Sequence, residues 1–328
     1  SPPYGAAAAA STYHLDTAAL AQRTQARVQA ALWRANHGAD VDCTTARKLY
    51  CSLRSAACGT TCKLHWVAVC ASAALQSQRV LVLHNPSWTD WHSLFEPLSR
   101  CAFDGDEYTA GAMFQWQSAQ ADRVVVAHFT QPNGYRDRQE LRDELLLPYM
   151  LPRDVYDDVR RFHTDARVWW VGQVVAYLLR PSPSLRVQLD AVRRDAVDGM
   201  QHPIVGVHVR RTDKVTVKEA RFHELTEYMD RVEVWYMLHY PGLRDEHRRV
   251  YLASDDPNAI VEARRRYPTY RFYEQPRSAQ LAQQTSRNTD DGVRSLLIDV
   301  YVLGECDFVV GTMSSSVSRL AYELMQTP

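Results

Sequence analysis

The chain lacks an excess of charge of either sign. Its 38 Lys and Arg balance 38 Asp and Glu, so the formal net charge is zero. Bulk attraction to nucleic acid or to an anionic membrane is excluded, and any anion site must be built locally. No run approaches the roughly 18 apolar residues that a membrane span needs. The first ten residues carry neither a charged n-region nor an apolar h-region, so they are not an intact signal peptide. Either the chain is cytosolic or an N-terminal anchor has been cut away. There is no glycine-rich phosphate fingerprint, Walker loop or serine-hydrolase elbow. His163, His202 and His208 show no helical i, i+4 pairing. Asp104-Gly105-Asp106 has the spacing of a metal-binding carboxylate pair, but in an irregular, glycine-containing stretch it reads as a turn.

What the chain does have is length, ordinary globular composition and a local cluster of cysteines. At 328 residues it is too long for one compact core, so two domains are expected. Six of its seven cysteines fall between Cys43 and Cys101, and Cys306 stands alone. An even, local cluster reads as a disulfide framework of an oxidising compartment. Zinc is the weaker reading, because Cys58 and Cys62 have no second close pair and only His65 nearby.

The Ala-rich residues 1–12 read as low-complexity and unstructured. A helix follows over Asp16–Asn36, with Asp16 as N-cap and Gly38 as the stop. Leu64–Gln76 reads as a buried helix and Arg79–Leu83 as a buried strand. Residues 102–150 are irregular apart from a strand at Val124–Ala127. Val168–Leu179 is too apolar for a surface helix and belongs in the core, ending at Arg180-Pro181 and Pro183. From Pro203 strands and helices alternate: strands at Ile204–Val209, Val250–Ala253, Tyr270–Tyr273 and Phe308–Val310, and helices at Phe222–Leu238, Pro257–Tyr267, Gly292–Leu303 and Ser316–Met325. Such alternation builds a doubly wound parallel sheet, which binds ligands at the carboxyl ends of its strands.

The residues directly after those strands are therefore the candidates for chemistry. His208-Val209-Arg210-Arg211-Thr212-Asp213-Lys214 brings three cations and one carboxylate off the sheet together. Adjacent guanidiniums suit a diphosphate, because each planar fork pairs with phosphate oxygens through two hydrogen bonds. Alone, the run could equally be a solvated turn. Ser254-Asp255-Asp256-Pro257 reads first as helix capping. Gly311-Thr312-Met313-Ser314-Ser315-Ser316 opens a helix whose N–H groups and dipole favour a phosphate, though the serines serve equally as caps.

Together these segments resemble the eukaryotic α1,6-fucosyltransferases that modify the core of N-glycans, and more distantly the bacterial chitin-oligosaccharide fucosyltransferases. The resemblance runs from Asp42 to Thr327. It rests on DCTTARKLYC, CGTTCKLH, VWWVGQVVAYLLRPSP, HPIVGVHVRRTDKV, RVYLASDDP and DFVVGTMSSSVSRLAYELMQT. It implies a two-lobed α/β fold of GT-B type: a low-complexity start and stalk-helix remnant over 1–41, an N-terminal α/β lobe with the disulfide cluster over 42–200, and a Rossmann-like GDP-fucose-binding lobe over 201–328. It implies pairs Cys43–Cys101, Cys51–Cys70 and Cys58–Cys62, leaving Cys306 free. Arg210 and Arg211 would bind the diphosphate, with Ser314, Ser315 and the backbone of the Cys58–Cys62 loop, Gly59 and Cys62 included. His208 and Asp299 would hold the guanine. Glu219 matches the proposed base, with Lys214 beside it, and Asp213, Tyr228, Asp255 and Asp256 match further positions needed for activity.

The resemblance further implies inverting transfer without metal or cofactor, with GDP-fucose as donor and an N-glycan or glycoprotein as acceptor. It implies no nucleic acid partner, a homodimer through the N-terminal helix, and a place in the Golgi lumen as a type II membrane protein whose anchor is absent from this sequence. Chitin oligosaccharides as acceptors, or an inactive glycan- or nucleotide-binding homologue, are the rival readings. An intact set of charged residues argues against the inactive one. Departures from the family pattern include one extra residue between Lys214 and Phe222. Gly311 and Ser318 stand where the family has a late disulfide, and Ser316 where it has Gln. The segment around Trp88–Trp91 is shortened and lacks a tyrosine. The SH3-like domain of animal members and most of the stalk have no counterpart here.

Overall fold

A computed structural model of the chain describes residues 5–53, 59–84, 90–102, 109–111, 124–128, 151–211, 222–283 and 285–327. The first helix, α1, spans Gly5–His37. It starts well before the expected Asp16, which lies inside it rather than capping it. Alanine has the highest helix propensity, so the low-complexity start extends the helix instead of fraying. Val28 and Leu32 are buried, and the chain leaves the helix at Gly38, whose N–H still reaches Arg34 O at 3.0 Å.

The first sheet follows. Strand β1 (Lys48–Ser52) leads to α2 (Thr60–Gln76), β2 (Val80–His84), the short α3 (Trp91–Leu94), β3 (Thr109–Gly111) and β4 (Val124–His128). All four strands are parallel, in the order β2-β1-β4-β3. The central strand β1 was not expected from the sequence. Two disulfides tie this lobe, Cys43–Cys101 and Cys51–Cys70, with Cα separations of 5.4 and 5.9 Å. Cys62 is also disulfide-bonded, while Cys58 lies outside the described residues. Cys306 is free and buried, as expected.

Three helices connect the lobes: α4 (Arg153–Val159), α5 (Ala166–Leu178) and α6 (Pro183–Asp195). Helix α5 is the apolar core helix foreseen in the sequence. Asp165 caps it, accepting from Arg167 N and Val168 N. Pro183, expected only as a stop, instead opens α6 with Ser182 as its cap, because proline suits the first helical turn.

The second sheet contains β5 (Ile204–Val209), then α7 (Leu225–His239), β6 (Arg249–Ser254), α8 (Asn258–Arg266), β7 (Arg271–Tyr273), α9 (Ser278–Leu281), α10 (Asp290–Glu305), β8 (Phe308–Gly311) and α11 (Ser316–Leu324). Its order is β7-β6-β5-β8, all parallel. Every residue of β5 is buried, and apart from His208 the strand reads as an apolar run. Gly206 lets α10 lie close: a Cβ there would meet Leu303 Cδ2 at 2.9 Å and Cys306 Sγ at 3.2 Å.

Two features position the site. Chain order runs outward from β5 through β6 to β7, then jumps back to β8 on the other side of β5. The gap between β5 and β8 is thus a topological switch point, where doubly wound sheets hold ligands. The last helix, α11, then crosses to the first lobe. Gln173 on α5 donates to Gln326 O at 3.1 Å, and His65 on α2 lies 2.9 Å from Glu323. One cluster of buried apolar side chains accordingly runs through both lobes. The architecture is the α/β, parallel-sheet fold expected of a GT-B enzyme.

Candidate active site

The carboxyl ends of β5, β6 and β8 lie side by side, with His208 in register with Ala253 and with Gly311. The Ser254 hydroxyl ties two of them together, donating to Val209 O at 2.9 Å and accepting from Asp256 N at 3.0 Å. Arg210, Arg211 and Asp255 are therefore delivered to one place by the sheet itself.

Asp255 organises that place. Its side chain is 2% exposed, and its two oxygens are divided between the arginines. Oδ2 accepts from Arg210 Nη1 at 2.8 Å, and Oδ1 from Arg211 N at 2.9 Å. This is not the helix cap suggested by Asp255-Asp256-Pro257. The cap-like role falls to Asp256, whose Oδ1 accepts from Asn258 N at 2.9 Å while its Oδ2 stands 3.7 Å from Arg211 Nη1. Arg211 is 7% exposed, donates Nη1 to Glu262 Oε2 at 2.7 Å, and lies over the Phe222 ring. Its Nε and Nη2 are buried without a hydrogen-bond partner among the described residues. A buried guanidinium held at one corner and unsatisfied elsewhere is set up to receive an anion. Tyr228, on α7, is buried against the same arginines, and burial raises the pKa of its hydroxyl.

Two helix N-termini complete the region. Helix α2 begins after Gly59, which has no side chain with which to cap, and α11 begins after Ser315, whose side chain makes no cap bond. Neither helix has an acidic residue in its first turn. Their N–H groups and dipoles remain available to an anion. The two ends touch: Thr61 Oγ1 and Ser316 Oγ are 2.6 Å apart. Ser315 is buried and Ser314 exposed at this junction. One N-terminus follows β1 of the first sheet and the other follows β8 at the switch point of the second. His65 and the disulfide-bonded Cys62 are thereby committed to structure, which removes the zinc reading of this loop.

His208 is buried, with Nδ1 2.8 Å from Ser318 Oγ. Burial and, second, the Arg210 charge lower its pKa to about 4, so the ring is neutral at physiological pH. Asp299 lies apart from the arginine cluster, on α10. It accepts from the Tyr251 hydroxyl at 2.5 Å, and burial raises its pKa to about 7. Asp213, Lys214 and Glu219 lie outside the described residues, as do Asp104 and Asp106. Sequence reasoning missed Glu262, which no local pattern marks and which Arg211, distant in sequence, recruits. Thr61, Ser316 and Ser318 fell within segments singled out in the sequence, but the contacts they make with one another and with His208 were not foreseen.

A family description, alpha-(1,6)-fucosyltransferase N- and catalytic domains, matches residues 9–328. The chain belongs to the alpha-(1,6)-fucosyltransferase family. The alpha-(1,6)-fucosyltransferase of Drosophila melanogaster is 38% identical over 295 residues, covering 87% of this chain and 45% of the fly protein. That of Caenorhabditis elegans is 34% identical over 292 residues, covering 87% of this chain and 50% of the worm protein. The chain thus spans about half the length of these curated relatives. Two solved fucosyltransferases share its fold. NodZ from Bradyrhizobium has a TM-score of 0.51 at 18% identity, covering 84% of this chain and 92% of its own. A mutant of Arabidopsis thaliana FUT1, solved in complex with GDP, has a TM-score of 0.55 at 12% identity, covering 95% and 76%. At such identities the likeness is one of fold, and it agrees with the GT-B-type arrangement of this alpha-(1,6)-fucosyltransferase family member.

Proposed function

We propose that this chain transfers fucose from GDP-β-L-fucose to the 6-hydroxyl of the innermost N-acetylglucosamine of N-glycans, with inversion and without a metal. The observation that carries the reading is the junction just described. Two uncapped helix N-termini, one from each sheet, meet beside a pair of arginines fixed by one buried carboxylate. The shape and charge suit a nucleoside diphosphate, and the family supplies the sugar and the linkage.

In this reading Arg210, Arg211 and the N–H groups at Gly59–Cys62 and Ser314–Ser315 neutralise the diphosphate as it leaves. His208 and Asp299 hold the guanine. The bond between fucose C1 and the phosphate oxygen breaks while the acceptor O6 bonds to C1 from the opposite face, converting the β-linked donor into an α-linked product. Glu219 takes the O6 proton, with Lys214 and Asp213 beside it. Asp255, Asp256 and Tyr228 act through the arginines rather than as the base, since both oxygens of Asp255 are already engaged. The disulfides suit an oxidising compartment, which supports the Golgi lumen as the site of action. Pairing of two copies through α1 belongs to the same reading, with Trp33 of that helix 48% exposed.

The test is incubation with GDP-fucose, GDP-mannose and UDP-N-acetylglucosamine against N-glycans and chitin oligosaccharides, followed by linkage determination. Fucose joined α1,6 to the innermost residue of an N-glycan supports the proposal. Transfer to chitin oligosaccharides alone would replace the acceptor, and no transfer from GDP-fucose to any acceptor would reject the reading.

A further inference from the structure

We propose that Ser318 is a positioning residue: it fixes the tautomer of His208 so that the imidazole offers Nε2–H to a hydrogen-bond acceptor on the bound nucleotide. The proposal rests on the nucleotide-site reading above and deepens it. Ser318 lies in the first turn of α11 and is completely buried. Its Oγ is 2.8 Å from His208 Nδ1 at the carboxyl end of β5. Among the described residues the hydroxyl has no other hydrogen-bond partner, so the imidazole nitrogen is where a buried O–H can be satisfied. If the hydroxyl donates, Nδ1 carries no proton, and a neutral ring then carries its proton on Nε2. The ring is neutral, because burial and the neighbouring Arg210 hold its pKa near 4.

The surroundings are shaped for this contact. Gly311, on the adjacent strand, faces the same hydroxyl, and a Cβ there would lie 2.5 Å from Ser318 Oγ and 3.6 Å from His208 Cβ. Glycine at 311 therefore leaves the room that the hydroxyl fills. Among the described residues no group hydrogen-bonds Nε2 of His208. The opposite tautomer would present a lone pair there and repel a carbonyl, ring-nitrogen or phosphate oxygen acceptor.

Two measurements on the full chain test this, with GDP as the probe. Nitrogen-15 NMR of histidine-labelled protein should show His208 as the Nε2–H tautomer in the wild type and as a tautomer mixture in Ser318→Ala. GDP affinity should fall about tenfold in Ser318→Ala, and likewise in Gly311→Ala, which expels the hydroxyl, while Ser318→Thr restores both readouts. An Nδ1–H tautomer in the wild type overturns the proposal without reference to any variant. Arg210→Ala separates the two claims. If it abolishes GDP binding while Ser318→Ala changes neither tautomer nor affinity, Ser318 has no positioning role. If Arg210→Ala leaves GDP affinity intact, the nucleotide reading falls, and this proposal with it.

Discussion

Replacing Asp255 by asparagine is the sharpest perturbation of the arginine cluster. Asp255 is nearly fully buried, and each carboxylate oxygen accepts a different donor, Arg210 Nη1 at 2.8 Å and Arg211 N at 2.9 Å. Asparagine has the same shape but one oxygen, so its amide must confront one of the two donors with another N–H. The substitution also removes the charge facing Arg210. Removing one partner of a buried pair costs about 3–5 kcal/mol. The lower end, about 3 kcal/mol, is expected here, since Arg210 and Asp255 have further interactions in their surroundings. Urea denaturation measures that loss, and calorimetric titration with GDP should show at least a tenfold weaker complex, because the Arg210 guanidinium loses its anchor and the backbone at Arg211 loses an acceptor, while Glu262 still holds the Arg211 guanidinium. Asp256→Asn is the internal comparison. Its carboxylate is partly exposed, stands 3.7 Å from Arg211 and mainly caps α8, a role asparagine fills as well as aspartate, so less than about 1 kcal/mol is expected. An Asp255→Asn protein within about 1 kcal/mol of wild type, binding GDP as well, would refute the organising role given to Asp255.

The remaining predictions follow from single groups. The folded-state pKa of Asp299 is raised to about 7, so its proton is held more tightly in the fold than in the unfolded chain, and stability falls as pH rises from about 4 to 7. Asp299→Asn should remove that fall, by up to about 4 kcal/mol. Urea midpoints of the two proteins at pH 5 and pH 8 check it, and a difference that does not change with pH contradicts it. His208 runs the other way: with its pKa lowered to about 4, its contribution is complete above about pH 6.5 and is lost as pH falls through 4. Arg210→Lys should impair turnover nearly as badly as Arg210→Ala, since lysine keeps the charge but not the fork. A lysine variant of near-normal kcat/KM would show that the charge of Arg210 suffices and its two-pronged geometry is not used. Glu219→Gln should lower kcat by roughly 10² to 10⁴ with GDP affinity unchanged, and turnover within a few fold of wild type removes it as the base.

The second lobe was legible because its central strands β5 and β6 are buried almost throughout. Runs such as Ile204–Val209 and Phe308–Val310 read as strands without ambiguity, and the residues after them fell where a switch point puts a ligand. Strand β1 was not legible: Lys48 and Ser52 bracket it, and both are buried despite being polar. The helix beginning at Pro183 was hidden by reading proline as a terminator when it opens a first turn. Asp255 looked like a cap because the local pattern Asp-Asp-Pro cannot reveal that a parallel strand brings Arg210 and Arg211 alongside. Glu262 was invisible for the same reason, and so was the contact of Ser318 with His208, each being defined by a partner about 50 or 110 residues away. The disulfides Cys43–Cys101 and Cys51–Cys70 came from family resemblance rather than from spacing, and the geometry agrees with both.

The central claim is that a diphosphate sits where the N-termini of α2 and α11 meet the Arg210–Asp255–Arg211 cluster. A crystal structure of the chain with GDP tests it most directly. The account predicts phosphate oxygens within hydrogen-bonding distance of both guanidiniums and of backbone N–H groups from the first turn of each helix, with the Thr61–Ser316 contact retained beneath them. GDP bound elsewhere, or a diphosphate touching neither arginine, would contradict it.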